Sequence, residues 1–113
     1  MVTLFIVARE FSQRVYDLAL SIPEGRVTTY GAIAKAAGGG SMAARSISSI
    51  LGKAPNPKSI PWHRIVYAGG KVWMSPEYEA ARLKLYKREG IKVNDRDYII
   101  DFEEIFYDFS ELN

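Results

Sequence analysis

The 113-residue chain contains no cysteine and a single histidine, His63. Without cysteine there can be no disulfide, no thiolate nucleophile and no cysteine-based metal site. One histidine excludes a multi-histidine metal centre. No metal or cofactor is therefore expected. Long hydrophobic runs are also missing. The apolar stretch Met1 to Ala8 meets charge at Arg9 and Glu10 and is too short to span a membrane. It lacks the basic flank and small-residue cleavage site of a signal peptide and reads as a buried first strand. A chain without cysteine or a membrane segment suits the cytoplasm, the compartment expected here. No repeat or low-complexity segment is present.

What remains is enough for one packed domain: 48% of the residues are hydrophobic and 12% aromatic. Net charge is +2, but its distribution is uneven. Residues 1–93 hold 14 Lys and Arg against 6 Asp and Glu, whereas residues 94–113 hold one against seven. A body at +8 has the sign needed to attract phosphate, although an ordinary solvated basic surface carries the same charge.

Phe11, Val15, Leu18 and Ile22 share one helical face, which ends before Pro23. Thr28 is a suitable cap for a helix over 29–37, stopped by Gly38-Gly39-Gly40. Ser41 can cap a third helix over 42–53. Two short helices joined by a glycine turn form a helix-turn-helix pattern, a pattern that other antiparallel helix pairs share. The spacing next predicts a hairpin, strand 65–67 and return strand 71–73, resembling a wing. A helix from Ser75-Pro76-Glu77 to Glu89, ended by Gly90, and a short strand over 91–93 follow. The fold expected is mostly α with a small β-hairpin, a winged helix-turn-helix-like single domain. Beyond residue 93 lies an acidic, aromatic tail. Phe102, Ile105, Phe106 and Phe109 give it an apolar stripe on a helix over 101–109, with Asp101 and Glu104 as a capping pair. So aromatic a stripe is expected to pack back onto the domain; a partner contact is the alternative.

Three segments resemble the O6-alkylguanine-DNA alkyltransferases, in the family's order and spacing. They are Glu24-Gly25-Arg26-Val27-Thr28-Thr29-Tyr30-Gly31, Ala43-Ala44-Arg45-Ser46-Ile47 and Ile60-Pro61-Trp62-His63-Arg64-Ile65. With Arg88-Glu89-Gly90-Ile91, the resemblance covers about residues 11–93, which fits a DNA-binding domain of the alkyltransferase C-terminal type over 1–93. The family motif is Pro-Cys-His-Arg, with the cysteine as alkyl acceptor. Here Trp62 takes that position, as in the non-catalytic alkyltransferase-like subgroup. The chemistry agrees: direct transfer needs an activated nucleophile, and indole offers none.

The resemblance implies a monomer that binds double-stranded DNA and flips O6-alkylguanine out of the stack. It further implies that the lesion is flagged for nucleotide-excision-repair proteins. Arg45 would fill the gap left by the base and Tyr30 would crowd the flipping phosphate. Thr29, Ser41, Met42, Ala43 and Ala44 would lie along the DNA, with the small alanines admitting close approach in the minor groove. Trp62, Tyr30, Trp73, Met74 and Ser75 would line the lesion pocket. His63 and Glu89 match the pair that activates the family's cysteine and would survive as a structural remnant; Arg64 reads as a salt-bridge former. The family's lesion-binding loop is replaced by Trp73-Met74-Ser75-Pro76, and the asparagine near the end of its recognition helix has no clear match. Three other readings stay open. These are a non-specific or regulatory helix-turn-helix, an enzyme in which His63 and Glu89 activate water, and an interaction module built on the tail.

Overall fold

Residues 2–110 are described in the computed structural model, with side chains for residues 10–40 and 44–110. No Gly or Pro interrupts residues 2–20, and one helix, α1 (Val2–Leu20), runs through all of them. This corrects the first strand expected over Met1 to Ala8. Stepping back from Phe11 by four residues and then by three, to Val7 and Leu4, keeps the helical spacing of the later residues. The apolar run therefore extends the same helix instead of starting a sheet. No helix among the described residues is long and apolar enough to cross a membrane.

The chain then turns at Gly25 and enters β1 (Thr28–Thr29). α2 (Tyr30–Ala36) follows directly. The cap is Thr29, one residue later than expected: its side chain accepts from the Ala32 N–H at 3.0 Å. Thr28 is instead wholly buried in the strand. After the glycines, the expected third helix divides. Residues Ser41–Ser46 form a 3-10 helix capped by Gly40 without a side-chain bond, so Ser41 is not the cap. The α-helix α3 covers only Ile47–Gly52. α1 packs on α2 and α3, and α2 packs on the 3-10 helix.

The structure is mostly helical with one two-stranded sheet, but the strands are not those of the expected hairpin. β2 (Ile65–Val66) pairs in parallel with β1, Thr28 opposite Ile65 and Thr29 opposite Val66. A turn does form at residues 67–71, where the Tyr67 N–H donates to the Lys71 carbonyl. The return segment is then drawn to the acidic part of the chain. Lys71 bridges Tyr98 antiparallel, and the Val72 N–H donates to the Asp97 carbonyl at 2.7 Å. Gly70 makes this crossing possible. Its φ is +93°, and a Cβ there would stand 3.0 Å from the Phe102 ring.

α4 (Glu79–Glu89) starts later than expected, after a turn in which the Tyr78 and Glu79 N–H groups donate to the Ser75 carbonyl. It ends at Gly90 in the left-handed conformation. The expected helix over 101–109 shrinks to α5 (Phe102–Ile105), and Asp101 makes no side-chain cap. The backbone of Phe106 is extended because it bridges Val27 in parallel; the Val27 N–H donates to Ile105 and the Tyr107 N–H to Val27. Main-chain pairing outweighs the local helical spacing there. Arg26 donates to the carbonyls of Ile105 and Phe106, and its guanidinium lies over the Tyr107 ring.

The core has two centres. Val15, Ala19, Ile33, Ile47 and Leu51 form the first, together with Tyr107 and Phe109 from the acidic segment. Val27, Val66, Val72, Tyr86, Ile91 and Ile99 form the second. The β1–β2 pair runs between them. It therefore fixes the start of α2 against the segment that carries Trp62 and His63.

Candidate functional site

Two short elements set the site. Thr29 caps α2, which places Tyr30 at its first turn. Pro61 leads into a 3-10 turn, Trp62–Arg64, that continues into β2. The Trp62 indole N–H donates to the Pro57 carbonyl at 3.0 Å, so the Pro-rich loop 54–59 fixes the plane of the ring.

Behind Trp62 lies a buried polar cluster. His63 Nε2 is 2.6 Å from Glu89 Oε2, and the Glu89 side chain is only 2% exposed. Arg64 donates to both carboxylate oxygens, Nε to Oε1 at 3.0 Å and Nη2 to Oε2 at 2.8 Å, while Nη1 bonds the Ile22 carbonyl. The Gly25 N–H donates to Glu89 Oε1 at 2.9 Å. One carboxylate at the end of α4 thus joins the turn before β1 to the segment leading into β2. The Tyr86 hydroxyl donates to the His63 carbonyl from the same helix.

Burial opposes ionisation of Glu89, but the bonds from Arg64, Gly25 and His63 outweigh it and lower the carboxyl to about 2. Burial lowers His63 from the usual histidine value, against the pull of Glu89. An uncharged His63 beside an ionised Glu89 carries its proton on Nε2, because the contact needs a donor. That leaves Nδ1 as an acceptor: the pair is a poised base with no sulfur to act on. Burial also raises the Tyr30 and Tyr86 hydroxyls, Tyr86 to about 12, so both are neutral phenols.

Both lowered values have the same consequence for stability. The contribution of Glu89 is complete above its unfolded value of 4.5 and is lost as pH falls towards 2. That of His63 is complete above 6.5 and is lost below it. Urea midpoints measured across pH 2–8 should be level near neutrality, decline gently below 6.5 and fall steeply below 4.5. A stability maximum at pH 4–5 would contradict the arrangement.

In front of the cluster opens a cavity of about 740 Å³. Tyr30, Trp62 and Trp73, expected there from the sequence, line it, and so does His63, which was expected only as a structural remnant. The Met74 and Ser75 expected beside them do not. Met74 packs on the second core centre and the Ser75 hydroxyl is buried without a partner among the described residues. Sequence reasoning missed Tyr67, Tyr78 and Arg82. Tyr67 meets Tyr30 with ring centroids 5.8 Å apart, and Tyr78 meets Trp73 at 5.7 Å. The signal for Tyr78 and Arg82 was their spacing: with Ala81 and Leu85, they lie on one face where α4 begins. Trp73 and Tyr78 are 44% and 48% exposed, which leaves the mouth of the cavity with an uncovered aromatic rim.

The expected DNA face lies beside this mouth. Arg45 is exposed at the end of the 3-10 helix, and Ser48, three residues on, lines the cavity. Ala44 packs against the first core centre. The side chains of Ser41, Met42 and Ala43 fall outside the described residues.

Residues 10–91 match the family described as "6-O-methylguanine DNA methyltransferase, DNA binding domain". The chain is 40% identical over 85 residues to the DNA base-flipping protein of Escherichia coli, covering 74% of this chain and 64% of that protein. It is 31% identical to the DNA base-flipping protein of Vibrio parahaemolyticus, covering 76% of this chain and 85% of that one. The fold matches S. pombe Atl1 in its complex with damaged DNA containing O6-carboxymethylguanine. The TM-score is 0.71 at 25% identity, over 88% of this chain and 95% of that one.

Proposed function

This chain belongs to the family of the 6-O-methylguanine DNA methyltransferase DNA-binding domain, and from that premise we propose that it is a DNA base-flipping protein that senses O6-alkylguanine without repairing it. The observation that carries the reading is Trp62. It stands in the family's acceptor position at the wall of an aromatic cavity, beside an intact His63–Glu89 pair. The cavity can take a planar base: its walls offer π faces, and damaged pairs open at the least cost. Arg45, exposed beside the mouth, fills the vacated place in the stack. Tyr30, at the start of α2, crowds the phosphate of the turned nucleotide. Thr29, Ser41, Met42, Ala43 and Ala44 lie along the minor groove.

With no cysteine in the chain, the adduct stays on the DNA. The bound and distorted duplex is then the signal, handed on to nucleotide excision repair. Names of relatives and the likeness to Atl1 in its DNA complex support DNA as the partner.

The test is equilibrium binding to matched duplexes carrying guanine or O6-methylguanine at one position, followed by nucleoside analysis of the recovered DNA. The modified duplex should bind at least about tenfold tighter, ~1.4 kcal/mol, and the methyl group should be recovered intact. Equal affinities would overturn the sensor; loss of the methyl group would favour the hydrolytic reading.

A further inference from the structure

Two cations line the cavity, and the proposed function uses neither: Lys58 is exposed in the loop 54–59 and solvated by water, whereas Arg82 is partly buried. Arg82 projects from the first turn of α4, and its guanidinium Cζ lies 5.4 Å from the centre of the Trp73 ring. Nη1 is 3.5 Å from the Trp62 carbonyl. Nε is buried and has no hydrogen-bond partner among the described residues. Among the described residues no carboxylate forms an ion pair with the group, and its side-chain neighbour on the same helix is the neutral Tyr86 hydroxyl. Neither Asp nor Glu lines the cavity, and the nearby Glu89 carboxylate is already held by Arg64, His63 and the Gly25 N–H. A surface arginine without a partner is ordinary, because water solvates it. Here the guanidinium is partly buried, stacked on an indole and facing a space large enough for a nucleobase.

Resting on the reading of the cavity as a base pocket, we infer that Arg82 makes it selective for an anionic substituent on the flipped base, above all a carboxylate. A planar fork of N–H donors matches a carboxylate, and the missing protein acid leaves that place for the ligand. A backbone phosphate is a poorer candidate. The phosphates of a bound duplex run along its outside, whereas Arg82 touches the backbone of Trp62 on the cavity wall. A neutral alkyl group gains only the aromatic walls.

Two duplexes of identical sequence decide this, one carrying O6-carboxymethylguanine and the other its neutral isostere, O6-carbamoylmethylguanine. The protein should favour the carboxylate about ten- to a hundredfold, as expected for charge-assisted bonds in a partly buried site. Arg82→Gln should bring the ratio close to one, and Arg82→Lys should keep part of it as a point charge without the fork. The ratio of isosteres on one variant is insensitive to a general loss of DNA affinity or of folded fraction. A ratio of one in the unaltered protein overturns the inference, as does an unchanged ratio in Arg82→Gln. A phosphate contact by Arg82 would give the first of these results. The guanine and O6-methylguanine pair separates the two readings. No preference there fells the base pocket and this inference with it. A preference there combined with an isostere ratio of one fells only the role of Arg82.

Discussion

Replacing Glu89 with alanine should remove about 3–5 kcal/mol of folding stability, the range expected when one partner of a buried ion pair is deleted. For a chain of this length that is a fall of at least ~10 °C in Tm. The physical reason is what the substitution leaves behind. Arg64 keeps its charge and one bond to Ile22, the Gly25 N–H loses its acceptor, and His63 loses the group that fixes its tautomer. Glu89→Gln should fall between the two, because the amide oxygen can still accept from Gly25 or Arg64 but not hold the full set. Urea and thermal unfolding measure both. In Glu89→Gln the steep acid decline below pH 4.5 should also vanish, since the group that titrates there is gone. A loss below ~1 kcal/mol in Glu89→Ala would mean that the cluster is dispensable to the fold. Retention of the cluster would then need a functional reason.

The second large effect is on recognition. Trp62→Ala should weaken binding to an O6-methylguanine duplex by about 5- to 150-fold, the loss found when a base loses an aromatic platform. Binding to the undamaged duplex should change far less, because phosphate contacts dominate it. Trp62 also packs against the first core centre, so truncation alone is ambiguous. Trp62→Phe resolves this: it keeps a ring against the core and the base but gives up the bond to the Pro57 carbonyl. It should recover most of the preference for the modified duplex. Equal loss of affinity for both duplexes in Trp62→Ala would make Trp62 a structural residue and would sink its assignment to the pocket.

The sequence was most legible where one residue has one job. Gly90 ends α4 in the left-handed conformation, as a glycine after Lys87-Arg88-Glu89 suggests. His63 and Glu89 meet, and Arg64 joins them as an ion-pair former. Long-range pairing was not legible. Nothing near Ile65 says that its partner is Thr28, and nothing near Phe106 says that Val27 will draw it out of a helix. Both follow from backbone bonds between segments far apart in the chain, to which local spacing is blind. The N-terminal segment failed for a simpler reason. A short apolar run reads equally as strand or buried helix, and the continuing helical spacing decided it. The cavity was half legible. The family motif carried Tyr30 and Trp62, and Trp73 followed from its place in the loop; Tyr67, Tyr78 and Arg82 needed the position of α4 relative to the turn after β2. Met74 and Ser75 lie next to Trp73 in the chain but turn towards the interior.

The chain has two tryptophans, and both line the one cavity. Tryptophan emission, excited selectively over the seven tyrosines, therefore originates entirely at the site where a base is proposed to stack, with no distant indole to dilute it. Stacking of a guanine on either ring should quench that emission, and Trp73, the more exposed of the two, should shift its maximum as water leaves. Removing one indole at a time would show which wall the base meets first, without attaching any label to protein or DNA.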